Sequence, residues 1–427
     1  MPCHLTFTSV LRFVCLLAAL TCSWQGTAAA DRTAVKSNSL ANIPLEWNDP
    51  DTGFRVVRLS RREGSNLSFY FHNRPFVPAL GDEGDKMVFR GWTNGSDGKN
   101  RNEQLFTVNL QTLVISQITA DAEGGGKSEI VAPRSRLAYF QLGKVVYATH
   151  VDTGDTRQVA VLPDDFPGAV KTINADETVL AGVHGEGSAE MSKGVSKGVY
   201  MRRIFDAKLP HYLFTLDIAS GAINKIHEIN TWLGHLQFSP TDPKLLMFCH
   251  EGPWHELNRI WLIDISNSQV RAIRERTVEK EIWGHEWWSH DGQTIWFDLQ
   301  VPKGETFHLA GYDLQSQQET VYSLIRDEWS THYNQSHDQQ LFAGDGGKRT
   351  SVARADDGKW IYLFVPDGDR LLSTRLVNMD EHNYALEPNV HFSPDDRWVI
   401  FRSNMHGPAH IYAVDLRSGH HQELKNR

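Results

Sequence analysis

The sequence predicts an all-β fold, a seven-bladed β-propeller of four-stranded blades. Three observations predict it. A strand–turn–strand unit built around a Ser-x-Asp type turn recurs along the chain. Its strands are short and rich in Ile, Val, Phe, Trp and Tyr. The breaks between strands carry the Asp, Gly and Pro that reverse a chain.

The clearest copies begin HLQFSPTDPKLLMFCH at His235, HEWWSHDGQTIWFDL at His285, HYNQSHDQQLFAGDG at His332 and NVHFSPDDRWVIFRS at Asn389. Each continues into a second pair of strands. Weaker copies occupy Asn73–Thr119, Ser128–Leu162 and Val170–Asn230. A spare strand, GFRVVRLS from Gly53 to Ser60, is left over. It is expected to complete the last blade and close the ring, since an open ring would expose strand edges. Residues 31–427 then form one propeller domain.

The first residues read as a secretory signal peptide, residues 1–30. Arg12 precedes an apolar run from Phe13 to Leu20, and small residues Thr27–Ala30 follow. The chain is expected to be exported, to a periplasm or outside the cell. Cys3, Cys15 and Cys22 fall in that segment, so Cys249 alone remains and no internal disulfide is possible. Without Arg12 the balance is 42 basic against 52 acidic residues, or −10. That charge speaks against nucleic acid as a partner. No later apolar run approaches the roughly 18 residues of a membrane helix.

Aligning the copies on Ser239, Ser289, Ser336 and Ser393 puts His235, His285, His332 and Asn389 four positions earlier. The weaker copies put Asn73, Ser128 and Val170 there. In a propeller the first strand of each blade lines the central channel, so these side chains should face one cavity. Imidazoles serve both as transition-metal ligands and as acid–base groups near neutral pH. A second cluster, CHEGPWHELNR, carries His250, Glu251, His255 and Arg259, and Glu387 stands just before Asn389. The pattern GxSxG at Gly194–Gly198 has no apolar strand before it, so it does not read as a nucleophile elbow.

The segments WLGHLQFSP, FCHEGPWH, GHEWW, QLFAGDG and HFSPDDRWVIFRSNMHG resemble the oligogalacturonate lyases. The resemblance runs from WNDPDTG, Trp47–Gly53, to the end of the chain. It implies cleavage of short uronate chains by β-elimination with a divalent metal, manganese above all. It implies that His235, after Leu233-Gly234, is the catalytic acid–base group and that His285, before Glu286-Trp287, is a metal ligand. His332 would be an auxiliary acid–base group. The family's Gln-x-x-His-Pro-His reads Tyr384-Ala385-Leu386-Glu387-Pro388-Asn389 here. Glu387 and Asn389 would therefore complete the metal site and favour a harder cation, with calcium or magnesium as alternatives to manganese. His250, Arg259, Arg202 and Arg203 are the candidates for binding the acidic sugar. Two other readings compete: a lyase for a glucuronate-containing glycan, and a non-catalytic TolB-like binding propeller.

Overall fold

The computed structural model describes residues 43–94, 101–120, 129–185 except 165 and 167, and 191–418 except 192. The chain separates into two compact units, Met1–Ser37 and Asn38–Arg427, and every described residue belongs to the second. The expected signal peptide lies outside the described residues.

The fold is all-β. Among the described residues the strands form six hydrogen-bonded sheets. Three are four-stranded meanders, running from Ile130 to Val161, from Ala169 to Ile229 and from Leu233 to Ala272. An eight-stranded sheet consists of two such meanders, Ile282–Leu324 and Tyr333–Asn378, joined by one parallel pair between Ser323 and Arg370. A five-stranded sheet spans Asn66 to Gln117. The last sheet combines His391–Phe392, Trp398–Ser403 and His410–Asp415 with two strands from the other end of the described chain. One of these is the expected spare strand, Arg55–Arg58, which pairs Val56 with Val414 and Arg58 with Tyr412. Glu46–Asn48 adds a further strand outside it.

The Ser-x-Asp turns explain the regular copies. Ser289, Ser336 and Ser393 each donate to the Asp two residues on, at 2.6, 2.7 and 2.6 Å. Each also accepts the N–H that opens the next strand, from Thr294, Leu341 and Trp398, at 2.9, 2.9 and 3.0 Å. A buried hydroxyl thus satisfies both sides of the reversal and sets the register of the innermost strands. The core lies between neighbouring sheets: Phe54 and Val56 pack with Val399, Phe401 and Val414, and also with Leu341, Ile361 and Leu363 of another sheet.

Two local departures shape the centre. The pairing of the first two strands shifts register between Gly234 and Gln237, and again between Gly284 and Trp287. His235 and His285 sit in these bulges at φ 48° and 50°. Asn389, at φ 53°, holds the matching place before its strand. Left-handed backbone is uncommon for non-glycine residues, and bulges re-aim side chains. The second departure is in the Asn66–Gln117 sheet. There Asn66–Leu67 and Phe76–Val77 both pair with Lys86–Asn94, leaving residues 68–75 outside the ladder.

One polar class of buried group sets the pH response. Burial pushes His250, His382, His391 and His410 down to about 4, and His290 to about 3. Unfolded imidazole titrates near 6.5. Below that pH the unfolded chain binds more protons than the folded one, so acid favours unfolding. Stability should be complete above about pH 6.5 and fall steadily toward pH 4, which thermal melts across that range will read. Separately, Val56→Ala should cost about 2 kcal/mol in urea unfolding, because its side chain is fully buried against the chain's last described strand.

Candidate active site

The three histidines predicted to share a cavity come together. The His285 and His332 rings lie 4.9 Å apart, edge to face. Tyr70 links them to His235, with its ring 5.1 Å from His332 and 5.7 Å from His235. Phe71 stacks on His332 at 4.7 Å, and His72 stacks on His235 at 5.6 Å. Tyr70, Phe71 and His72 were not foreseen. They reach the cluster because their segment leaves its sheet, and the only trace in the sequence is the run FYFH just before Asn73. Of the weaker positions, Asn73 and Val170 line a cavity of about 320 Å3 with His72 and His235. Ser128 lies outside the described residues.

His235 is bracketed by two carboxylates. Its Nε2 is 3.3 Å from Glu251 Oε1, and its Nδ1 is 3.5 Å from Glu286 Oε1. Arg259 lies behind both, with Nη1 2.9 Å from Glu251 and Nε 3.0 Å from Glu286. Arg259 and Glu286 are fully buried, whereas the His235 side chain keeps 21 % of its surface. Burial raises Glu251, but the charges of Arg259 and His235 outweigh it and hold that carboxyl at about 2. Burial also lowers His235; Glu286 opposes that shift and Arg259 adds to it. The imidazole is therefore neutral at neutral pH, in a cluster of two carboxylates and one guanidinium. Trp254 completes the wall, donating to Glu251 at 3.0 Å and covering Arg259 at 4.1 Å.

His332 has a different environment. Its ring is fully buried, and Nδ1 meets Asp345 Oδ2 at 2.8 Å. Asp345 also accepts the His332 N–H, at 2.8 Å. The other nitrogen, Nε2, has no hydrogen-bond partner among the described residues and lies 3.9 Å from Glu387 Oε2. A carboxylate on one ring nitrogen leaves the other as a lone pair, the arrangement found behind many metal-bound histidines. His332 therefore has one ring nitrogen engaged by Asp345 and the other turned toward Glu387. Two imidazoles and the half-exposed Glu387 supply suitable donors for a divalent cation. Among the described residues no three His, Cys, Asp or Glu side chains already converge on one point.

Four expectations need correction. Asn389 is no free ligand: its Oδ1 accepts the Phe71 N–H at 2.9 Å and its Nδ2 donates to the Glu387 carbonyl at 3.0 Å. Its amide is spent holding the Tyr70–His72 segment in place. Arg259 is fully buried and neutralises Glu251 and Glu286, so it does not meet a sugar directly. His250 points to the opposite face of its strand from Glu251 and stacks on Trp261 at 4.7 Å. Arg202 and Arg203 lie exposed on the helix Lys197–Ala207, where Arg202 pairs with Glu256 rather than with the cluster. Ser196 caps that same helix with extended backbone, so the GxSxG pattern is a helix start.

A family model described as oligogalacturonate lyase matches residues 35–419. An oligogalacturonide lyase of Pectobacterium atrosepticum is 23 % identical over 397 residues, covering 88 % of this chain and 97 % of that protein. An oligogalacturonate lyase of Dickeya dadantii is 23 % identical over 393 residues, covering 87 % and 95 %. Among solved structures, an oligogalacturonate lyase in complex with manganese superimposes with a TM-score of 0.73 at 22 % identity, covering 87 % of this chain and 95 % of that one. One from Vibrio parahaemolyticus gives 0.72 at 22 %, covering 87 % and 96 %. At that identity the superpositions establish the shared fold.

Removing Arg259 should expose how the cluster is balanced. Arg259→Met leaves two buried carboxylates without their cation, which should cost about 3–5 kcal/mol in urea unfolding. The His235 pKa should rise in the same variant, because the charge that lowers it is gone. Titration of the His235 ring by NMR reads this directly.

Proposed function

Because this chain belongs to the oligogalacturonate lyase family, we propose that it cleaves oligogalacturonate by β-elimination at the His235 cluster. It is a lyase acting on uronate oligosaccharides. The observation that carries the mechanism is His235 held between Glu251 and Glu286 with Arg259 behind them.

The C5 proton of a uronate is weakly acidic because the adjacent carboxylate can take up the electron pair. A neutral His235 removes that proton. The pair forms the C4–C5 double bond, the C4–O bond breaks, and the departing oxygen takes a proton from the imidazolium or from water. Two carboxylates against one guanidinium leave the cluster with a formal charge of −1. Proton uptake by His235 brings it to zero, so the step removes a buried charge instead of creating one. Glu251 and Glu286 also orient the ring, which limits the geometries the base samples.

The manganese in a related structure supports a divalent cation here. His285, His332 and Glu387 would hold it, with Asp345 as the orienting partner of His332. When bound, it neutralises the substrate carboxylate as negative charge develops there. Tyr70 and His72 wall the cavity beside His235 and keep bulk water from one side of the ring.

The wider reading is a seven-bladed ring in residues 31–427 of an exported protein. Among the described residues, five four-stranded meanders, the Asn66–Gln117 sheet and the sheet that pairs Arg55–Arg58 with His410–Asp415 make seven units and support the blade count and closure. The leader-like residues 1–30 support export to a periplasm or beyond.

The test is ultraviolet absorbance of the unsaturated uronate released from oligogalacturonate. Turnover should fall by about 10²–10⁴-fold in His235→Ala, the range for loss of a general base. Activity should climb with pH on a limb below the ordinary histidine value and level off by neutrality, since burial lowers His235. A limb displaced above that value would remove His235 as the base. Chelation should suppress turnover, and added manganese should restore it.

A further inference from the structure

Two cavities meet beside the cluster. The one of about 320 Å3 opens on Gly234–Leu236 and His235. A second, of about 340 Å3, opens on Gln237–Ser239, the continuation of the same strand, and on Arg74 and Trp288. His72, Asn73, Glu129 and Lys171 line both. The two cavities therefore share part of their walls along the strand that runs from His235 to the Ser239 turn.

Arg74 is the unusual member of the second cavity. Its surface is open to water, yet protein surrounds the guanidinium closely enough that burial lowers its pKa to about 10. It donates to the Ser289 carbonyl at 3.3 Å, and among the described residues no carboxylate comes within ion-pairing distance of it. The acids in the same wall are already committed. Glu129 binds Arg90 at 2.9 Å, the Tyr70 N–H at 2.7 Å and Asn73 at 2.8 Å. Glu177 accepts the N–H groups of Arg134 and Ser135, each at 2.8 Å. The charge of Arg74 is thus uncompensated, and it helps burial drive the neighbouring His290 down to about 3.

A guanidinium set in a cavity wall without a counter-ion is well matched to a planar carboxylate, which it can grip with two parallel hydrogen bonds. We propose that Arg74 and the second cavity form a uronate subsite, holding the carboxylate of a sugar beyond the two that flank the scissile bond. Lys171 belongs to the wall common to both cavities. The proposal rests on the lyase reading above.

Chain-length dependence tests it. A dimer fills only the positions flanking the cleaved bond, whereas a trimer or tetramer reaches further. In Arg74→Ala, KM for the trimer or tetramer should rise about 10–100-fold, the range for a lost charge-assisted contact, with kcat and the dimer's KM unchanged. Arg74→Lys should recover part of the loss, since it keeps the charge and loses the fork. Calorimetry in the His235→Ala background, with trigalacturonate and digalacturonate as probes, should show the same split in affinity. Equal effects on dimer and trimer, or none on either, would overturn the subsite while leaving the lyase reading intact. Absent turnover by the unmodified chain, with trimer binding still sensitive to Arg74, would do the reverse. Neither turnover nor binding would overturn both.

Discussion

Arg259 sits behind His235, and the cluster takes its form from that guanidinium. Two carboxylates within about 3.5 Å of one imidazole would repel each other and drive the ring to its charged form. Arg259 cancels one of those charges from a fully buried position. Burial and Arg259 together then keep the ring neutral, and the two carboxylates orient it to take a proton. The same geometry explains why the CHEGPWHELNR segment carries acid and base together. Glu251 and Arg259 flank its turn, and Glu286 arrives from the neighbouring sheet to close the network.

Backbone geometry aims the rings. His235 and His285 occupy bulges with left-handed backbone, a conformation that costs a non-glycine residue of order 1 kcal/mol and persists only when surroundings enforce it. For His285 the Ser-x-Asp turn four residues on ties the strand ends with a buried hydroxyl, while behind His235 the Ser239 hydroxyl accepts the N–H groups of Thr241 and Asp242. Strain at the first-strand positions is thus held in place by rigid turns beyond them, and the cavity inherits the repeat of the fold.

The substitutions at Tyr384, Glu387 and Asn389 have different structural consequences. Asn389 has become a brace for Phe71, and Tyr384 donates to the Asp345 carbonyl at 3.2 Å. Glu387 keeps an accessible carboxylate opposite His332. The second cavity extends the site toward Arg74.

The sequence by itself determined the all-β architecture, the spare strand at Arg55–Arg58 and the register that unites His235, His285 and His332. Those features repeat, and a repeat of period-two strands and fixed turns exposes which side chains share a face. The tertiary structure alone decided what those side chains meet. Arg259 reads as a sugar contact in sequence, because a lone Arg in a polar loop looks solvated; only packing shows it buried between Glu251 and Glu286. Asn389 reads as a ligand by register, and only the arrival of Phe71 reveals its amide as spent. Tyr70, His72 and Arg74 lie where the repeat is broken, so no alignment of copies could place them. Contacts between distant segments depend on how strands leave their ladders, and that information is absent from local pattern.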